Sequence, residues 1–143
     1  MKIEIFKPEH MLSMDVQDAQ STLSAFVTPE YACALADPAH GSAYTGVHEG
    51  RVIFSAGIVD VWAGRAMVWA YIARTAGDQF LGVHRAVKKF LDMQTGLRLE
   101  TTVDASFEQG HRWAKMLGFE METPCMRGYL PNGNDAAMYV RIR

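Results

Sequence analysis

Only two cysteines, no apolar run approaching the roughly 20 residues that a membrane-spanning helix requires, and almost no charge imbalance mark this sequence. Each shortage excludes something. Cys33 and Cys125 lie far apart and outside any metal-ligand spacing, which argues against a disulfide framework or a thiolate metal site and leaves reduced thiols in a cytoplasmic setting as the expectation. Fourteen Lys and Arg against sixteen Asp and Glu give a net charge of -2, so no general attraction to nucleic acid or to an anionic membrane is expected. The opening residues Met1 to Phe6 alternate polar and apolar, without the continuous apolar core of a secretory signal. There is no internal repeat, low-complexity tract or linker. A chain of 143 residues, 49% of them hydrophobic, is read as one globular domain spanning 1–143 with a core of its own.

What is present is a succession of short periodic segments. A first strand precedes two proline-started helices, near Pro8 to Met14 and Pro29 to Ala36, the second behind Thr28 as N-cap and stopped by Asp37-Pro38. Between them, Val16 to Val27 fits either a helical continuation or a loop. From Ser42 the period changes to that of strands, with Glu49-Gly50 and Ala63-Gly64 as turns in an antiparallel meander that ends with Arg65 to Ala73. Phe80, Val83, Val87, Phe90 and Leu91 then recur at helical spacing within Asp78 to Gln94, and Thr95-Gly96 is read as the helix stop. A strand through Leu97, Leu99, Thr101 and Val103 follows. Ser106 and Gln109 have capping-box spacing before a helix with Phe107, Gly110, Ala114 and Leu117 on its buried face and Gly118 as C-cap. Two last strands, Glu120 to Pro124 and Ala136 to Ile142, flank the turn-rich Pro131 to Asp135.

Val103-Asp104 followed by a helix closing on Leu117-Gly118-Phe119, within this order of elements, resembles the GCN5-related N-acetyltransferase superfamily from about Ile3 to Ile142. The resemblance implies an acyl-CoA N-acyltransferase-like α/β (α+β) fold, a mixed, mainly antiparallel sheet flanked by helices. It further implies acetyl-CoA as cosubstrate, bound in a splay between the fourth and fifth strands, and transfer of its acetyl group to an unidentified amine by direct attack. More narrowly, the Trp-centred fourth strand and His111-Arg112-Trp113 resemble small acetyltransferase-like proteins of phages and prophages, some described as internal virion proteins. That implies the alternative of a non-catalytic structural or interaction protein, with phage virion proteins as partners and the virion as its location.

By the resemblance, pyrophosphate is held by a Gln/Arg-x-x-Gly-x-Gly/Ala loop at a helix start, where free amides present positive partial charge to an anion. Arg74-Thr75-Ala76-Gly77 fits its first four positions, while Asp78 and Gln79 depart from it. The cofactor-binding candidates are thus Arg74, Gly77, Gln79 and Gly82 in the loop and helix start, with Ala70, Tyr71 and Ile72 on the fourth strand. No carboxylate lies between Met67 and Ala73 to serve as a base, which leaves Glu100 on the fifth strand and His84 on the central helix as catalytic candidates. Each has a structural alternative: alternation turns Glu100 to the face opposite Leu97 and Leu99, and His84 can be a hydrogen-bonded packing residue. Ala114 stands where many relatives place an acidic tyrosine, so Tyr71 and Tyr139 are the available hydroxyls, both with packing as their structural alternative, and solvent is the other proton source. No metal is implied.

Overall fold

Alternation at the start of the chain becomes β1 (Lys2–Ile5), the edge of one seven-stranded sheet of order β1-β2-β3-β4-β5-β7-β6. The computed structural model describes all 143 residues, the side chains of residues 22–24 excepted. β2 (Gly41–His48), β3 (Arg51–Trp62) and β4 (Arg65–Ile72) form the expected meander. Its first hairpin closes through Glu49 and Gly50 at φ 51° and 76°, the paired positive values that match the twist of the flanking strands. β5 (Arg98–Asp104) is parallel to β4, the crossover being long enough to carry a helix. β6 (Glu120–Met126) and β7 (Ala136–Ile142) close the sheet, with β7 inserted between β5 and β6.

Helices cover both faces because strand alternation makes both faces apolar. On one face, α4 (Phe80–Asp92) and α5 (Glu108–Met116) pack Val83, Val87, Leu91, Ala114 and Leu117 against Ile53, Phe54, Ile72 and Leu99. On the other, α1 (Pro8–Leu12) and α3 (Pro29–Ala36) bring Met11, Ala32 and Leu35 onto Phe6, Trp69 and Tyr71. Thr28 caps α3, its hydroxyl accepting the Tyr31 N–H at 3.1 Å. Past α5, Gly118 at φ 93° carries a Schellman closure, its N–H reaching the Lys115 carbonyl and that of Phe119 the Ala114 carbonyl, both at 3.0 Å.

Three local expectations are corrected. The ambiguous stretch after Val16 contains a third short helix, α2 (Asp18–Ser24), where two were expected before β2. A 3-10 turn, Arg74–Gln79, precedes α4, which therefore starts at Phe80 instead of Asp78 and ends at Asp92, before Thr95-Gly96. Ser106 makes no capping box; its N–H and hydroxyl both bond Asp104 Oδ1, and Phe107 becomes the N-cap. Trp62, at the end of β3, is 63% exposed beneath the Arg65 guanidinium, 4.6 Å from the ring centre.

Candidate functional site: the splay between the fourth and fifth strands

β4 and β5 pair through only three positions, Arg65↔Arg98, Ala66↔Leu99 and Met67↔Glu100. Beyond them each strand stays with its other neighbour, β4 with β3 out to Ile72↔Phe54 and β5 with β7 out to Asp104↔Ala136. Claimed on opposite sides, the two strands part. The Thr101 hydroxyl bridges the start of the gap, donating to the Val68 carbonyl at 3.0 Å. The opening leads into a cleft of about 210 Å³ walled by Val68 to Ile72 on β4 and Thr101 to Asp104 on β5, with Gly110, Trp113 and Ala114 of α5 behind. A second cleft of about 370 Å³ shares Gln17, Ile72, Phe107, Gly110 and Trp113 with it and runs on past Phe80, Gln109, Arg112 and Met116. Together they form a groove from the splay to the start of α4.

Val68 and Ala70 offer carbonyls, and Ile72 an N–H, to partners on the β5 side. Alternation aims the Ala70 N–H the same way. The free edge is otherwise taken by Gln17, just before α2, and by Gln20 within it. The Gln20 carboxamide donates to Ala70 O at 2.8 Å and accepts the Ile72 N–H at 3.0 Å, while the Gln17 N–H reaches Ile72 O at 2.8 Å. Of the sequence-based candidates, Ala70, Tyr71 and Ile72 thus line the cleft.

In the 3-10 turn, Gly77 has φ 35° and ψ -115°, a combination strained for any residue with a Cβ, although the space beside it is open. Gln79 is the N-cap of α4 but makes no side-chain cap, so the first-turn amides have no side-chain acceptor there. Gly82 in that first turn faces Met1, whose terminal carbon would lie 3.2 Å from an added Cβ. Arg74 is engaged, its guanidinium paired with Asp15 at 3.3 Å and with Asp18, and its N–H bonded to Asp15 O at 2.7 Å. Arg112 lines the second cleft, whereas Lys88 is paired with Asp92 at 3.1 Å.

The catalytic candidates are not brought together. Glu100 is 2% exposed and lies below the splay, where Arg65 donates to both its oxygens at 2.6 and 3.0 Å and Arg98 to one at 2.7 Å. Arg98 in turn holds Glu122 at 2.6 and 2.9 Å. The Arg65 hydrogen bonds, helped by those of Arg98, outweigh burial and hold the Glu100 carboxyl below its ordinary range, which makes it a weaker base. His84 accepts the Trp113 indole N–H on Nδ1 at 3.1 Å and joins α4 to α5. Tyr71 packs on the Trp69 side of β4, hydrogen-bonded to Tyr31; burial first, then Tyr31, raises its pKa, so its hydroxyl keeps its proton. His111 is likewise occupied. Its Nε2 faces the Ala105 carbonyl at 2.9 Å and must donate, and its Nδ1 is hydrogen-bonded to the Tyr139 hydroxyl at 2.7 Å, accepting from it when the ring is neutral.

Sequence reasoning missed Gln17, Gln20 and Thr101, and gave Asp104 no functional role. Asp104 is the one carboxylate lining the cleft among the described residues. Burial opposes its ionisation, but the Asn134 amide at 2.9 Å and the Ser106 N–H and hydroxyl at 3.0 and 2.8 Å outweigh it and lower its pKa. No sequence signal marked the glutamines, since their partners lie some fifty positions along the chain. Among the described residues no cluster of side chains could hold a metal ion, and no helix is long and apolar enough to cross a membrane.

No family model and no curated protein matches this sequence. Solved structures do match in shape. Ard1 from Thermoplasma volcanium is 19% identical, with a TM-score of 0.74 over 99% of this chain and 96% of that one. Ribosomal-protein-alanine N-acetyltransferase from Brucella melitensis is 13% identical, with a TM-score of 0.74 over the whole of both chains. The chain has the acyl-CoA N-acyltransferase fold. The aminoglycoside 6'-N-acetyltransferase from Enterococcus faecium shares it at 10% identity, with a TM-score of 0.69 over 99% and 97% of the two chains. At such identities the likeness in shape establishes the fold alone and leaves the reaction to be argued from the groove.

Proposed function

We propose that this protein binds acetyl-CoA in the groove and transfers its acetyl group to an amine. The observation that carries the reading is the splay itself: a parallel strand pair opened after three residue pairs, with β4 backbone groups facing an apolar cleft that continues to a helix start. Ala70, Tyr71 and Ile72 would hold the extended arm of the cosubstrate. Arg74, Gly77 and Gln79, with the first turn of α4 at Gly82, would meet its phosphates, and Arg112 flanks the same route. The fit is incomplete at Asp78, whose charge disfavours a phosphate by ~0.3–1 kcal/mol, and at Arg74, which is already paired.

The cosubstrate supplies an activated acetyl thioester. The Ala70 N–H is placed to hydrogen-bond a carbonyl oxygen as negative charge develops on it. Asp104, ionised at the mouth of the cleft, can hold an incoming ammonium; its nitrogen must lose one proton before it can attack and a second as the amide forms, and solvent in the open cleft receives both. As the new C–N bond forms the C–S bond breaks, and with Ala114 at the wall the leaving sulfur takes its proton from water. Glu100 and His84 serve on this reading as structural ties.

The test is calorimetric titration with acetyl-CoA against a ligand of similar charge. Saturable one-to-one binding, abolished in Gly77→Glu, is the expected result; no binding at millimolar ligand would sink the cosubstrate assignment. A second reading, acyl-CoA binding without turnover, is favoured by Ala114 and by the ties on Glu100 and His84. Acceptor-dependent release of CoA separates the two. The non-catalytic virion reading predicts no CoA binding together with stable association to phage particle proteins.

A further inference from the structure

In the unsplayed part of the sheet, Met67 faces Glu100, and continuing that parallel register would set Asp104 opposite Tyr71. A parallel neighbour there would give its N–H to Ala70 O and take the Ile72 N–H on its carbonyl. Because β5 has turned away, the Gln20 carboxamide does both, at 2.8 and 3.0 Å. Gln17 steadies it, its own carboxamide donating to Gln20 Oε1 at 3.2 Å and its N–H to Ile72 O. The same segment carries Asp15 and Asp18, whose carboxylates hold the Arg74 guanidinium.

Carboxylates on the loop arginine and an amide on the strand edge reproduce, in order along the loop and β4, the polar groups of a phosphate followed by an amide-bearing arm. From this geometry we infer that Asp15–Gln20 is an internal competitor, which must release β4 and Arg74 before such a ligand can seat. The inference rests on the acetyl-CoA reading for the identity of that ligand. Displacement is feasible because the ion pairs are weak: the Asp15 and Asp18 side chains are 76% and 88% exposed, so solvent screens both. Binding is therefore coupled to movement of α2, and the competitor keeps the strand edge satisfied when the groove is empty.

Gln20→Ala removes the stand-in amide and leaves the β4 edge open. Two readouts apply to wild type and variant, acetyl-CoA affinity by calorimetry and exchange of the Ile72 amide hydrogen. Gln20→Met serves as a second variant that keeps the side chain's length and helix propensity but can neither donate nor accept. Expected are affinities about tenfold tighter in both variants, with Ile72 exchanging about tenfold faster when free and protected again by ligand. The Ala73 amide, bonded to Ile53 O, should not change. Equal acetyl-CoA affinity in wild type and both variants would overturn the competitor while leaving the cosubstrate reading intact. Failure of all three proteins to bind would overturn both.

Discussion

At the base of the β4–β5 pair, Glu100 is clamped between Arg65 and Arg98, and Arg98 carries the clamp on to Glu122 in β6. A few residues further along the same strands there is no ladder at all, and Thr101, Gln17 and Gln20 serve the exposed backbone groups one by one. The base is held by charge in a buried setting and the mouth by neutral hydrogen bonds beside a cleft. A sheet can open along one seam without unravelling if the seam's origin is pinned and each free edge is given a substitute partner. Pinning and opening are then separate functions of one strand pair, and substitutions should separate them.

The largest effect is expected at the pin. Glu100→Ala leaves two guanidinium groups without their shared carboxylate. Because both arginines are about 30% exposed and can turn to water, the loss should be about 2–3 kcal/mol, below the range for wholly buried pairs. Urea denaturation measures it, and an unchanged midpoint would show that the clamp is dispensable. Next comes the bridge: Thr101→Val keeps the shape but strips the Val68 carbonyl of its partner, which should cost about 1–2 kcal/mol and widen the cleft mouth. Trp113→Phe, behind the cleft, removes the bond to His84 for about 1 kcal/mol while leaving the strands as they are. If it cost more than Thr101→Val, the wall and not the mouth would be the stiffer part.

The smallest expected effect is on pH dependence. Glu100 has its pKa lowered on folding, so its contribution is complete above the unfolded value of about 4.3 and fades as pH falls through the folded value. Glu100→Gln should therefore be less stable than wild type at neutrality but lose less stability on acidification below about pH 4.3. Parallel stability curves for the two proteins would show that Glu100 gains nothing by being ionised. Asp104 offers a contrast at the mouth. On the acetyltransferase reading Asp104→Asn should raise the acceptor KM about tenfold, as for one lost charge-assisted contact, with kcat little changed.

Much of the scaffold was legible because its signals are local. The apolar spacing of Val83, Val87 and Leu91 marked α4, Thr28 marked a cap that forms, and Leu117-Gly118-Phe119 marked a closure whose hydrogen bonds are all within one turn. Where local signals competed, reading failed. Ser106 has a capping-box partner in Gln109, yet Asp104, two residues away and fixed by β5, takes both its N–H and its hydroxyl. Val16 to Val27 stayed ambiguous because Gln17 and Gln20 gain their meaning from β4, to which no sequence periodicity connects them. The candidate site was legible to the same degree: the strand, the loop and its glycine could be named, but whether Arg74 was free, or which way Glu100 was engaged, could not.

By itself the sequence determined the alternation of strands and helices, the turns, the bounds of α3 and the closure after α5, since each follows from side-chain period, capping chemistry or a positive φ within a few residues. Tertiary structure alone decided that β4 and β5 separate after Met67 and Glu100, that Glu100 is a clamp, and that a glutamine from α2 stands on the open edge. Those outcomes depend on which neighbour wins each strand's hydrogen bonds and on charges brought together from β4, β5 and β6. Such competitions are settled only when distant segments meet.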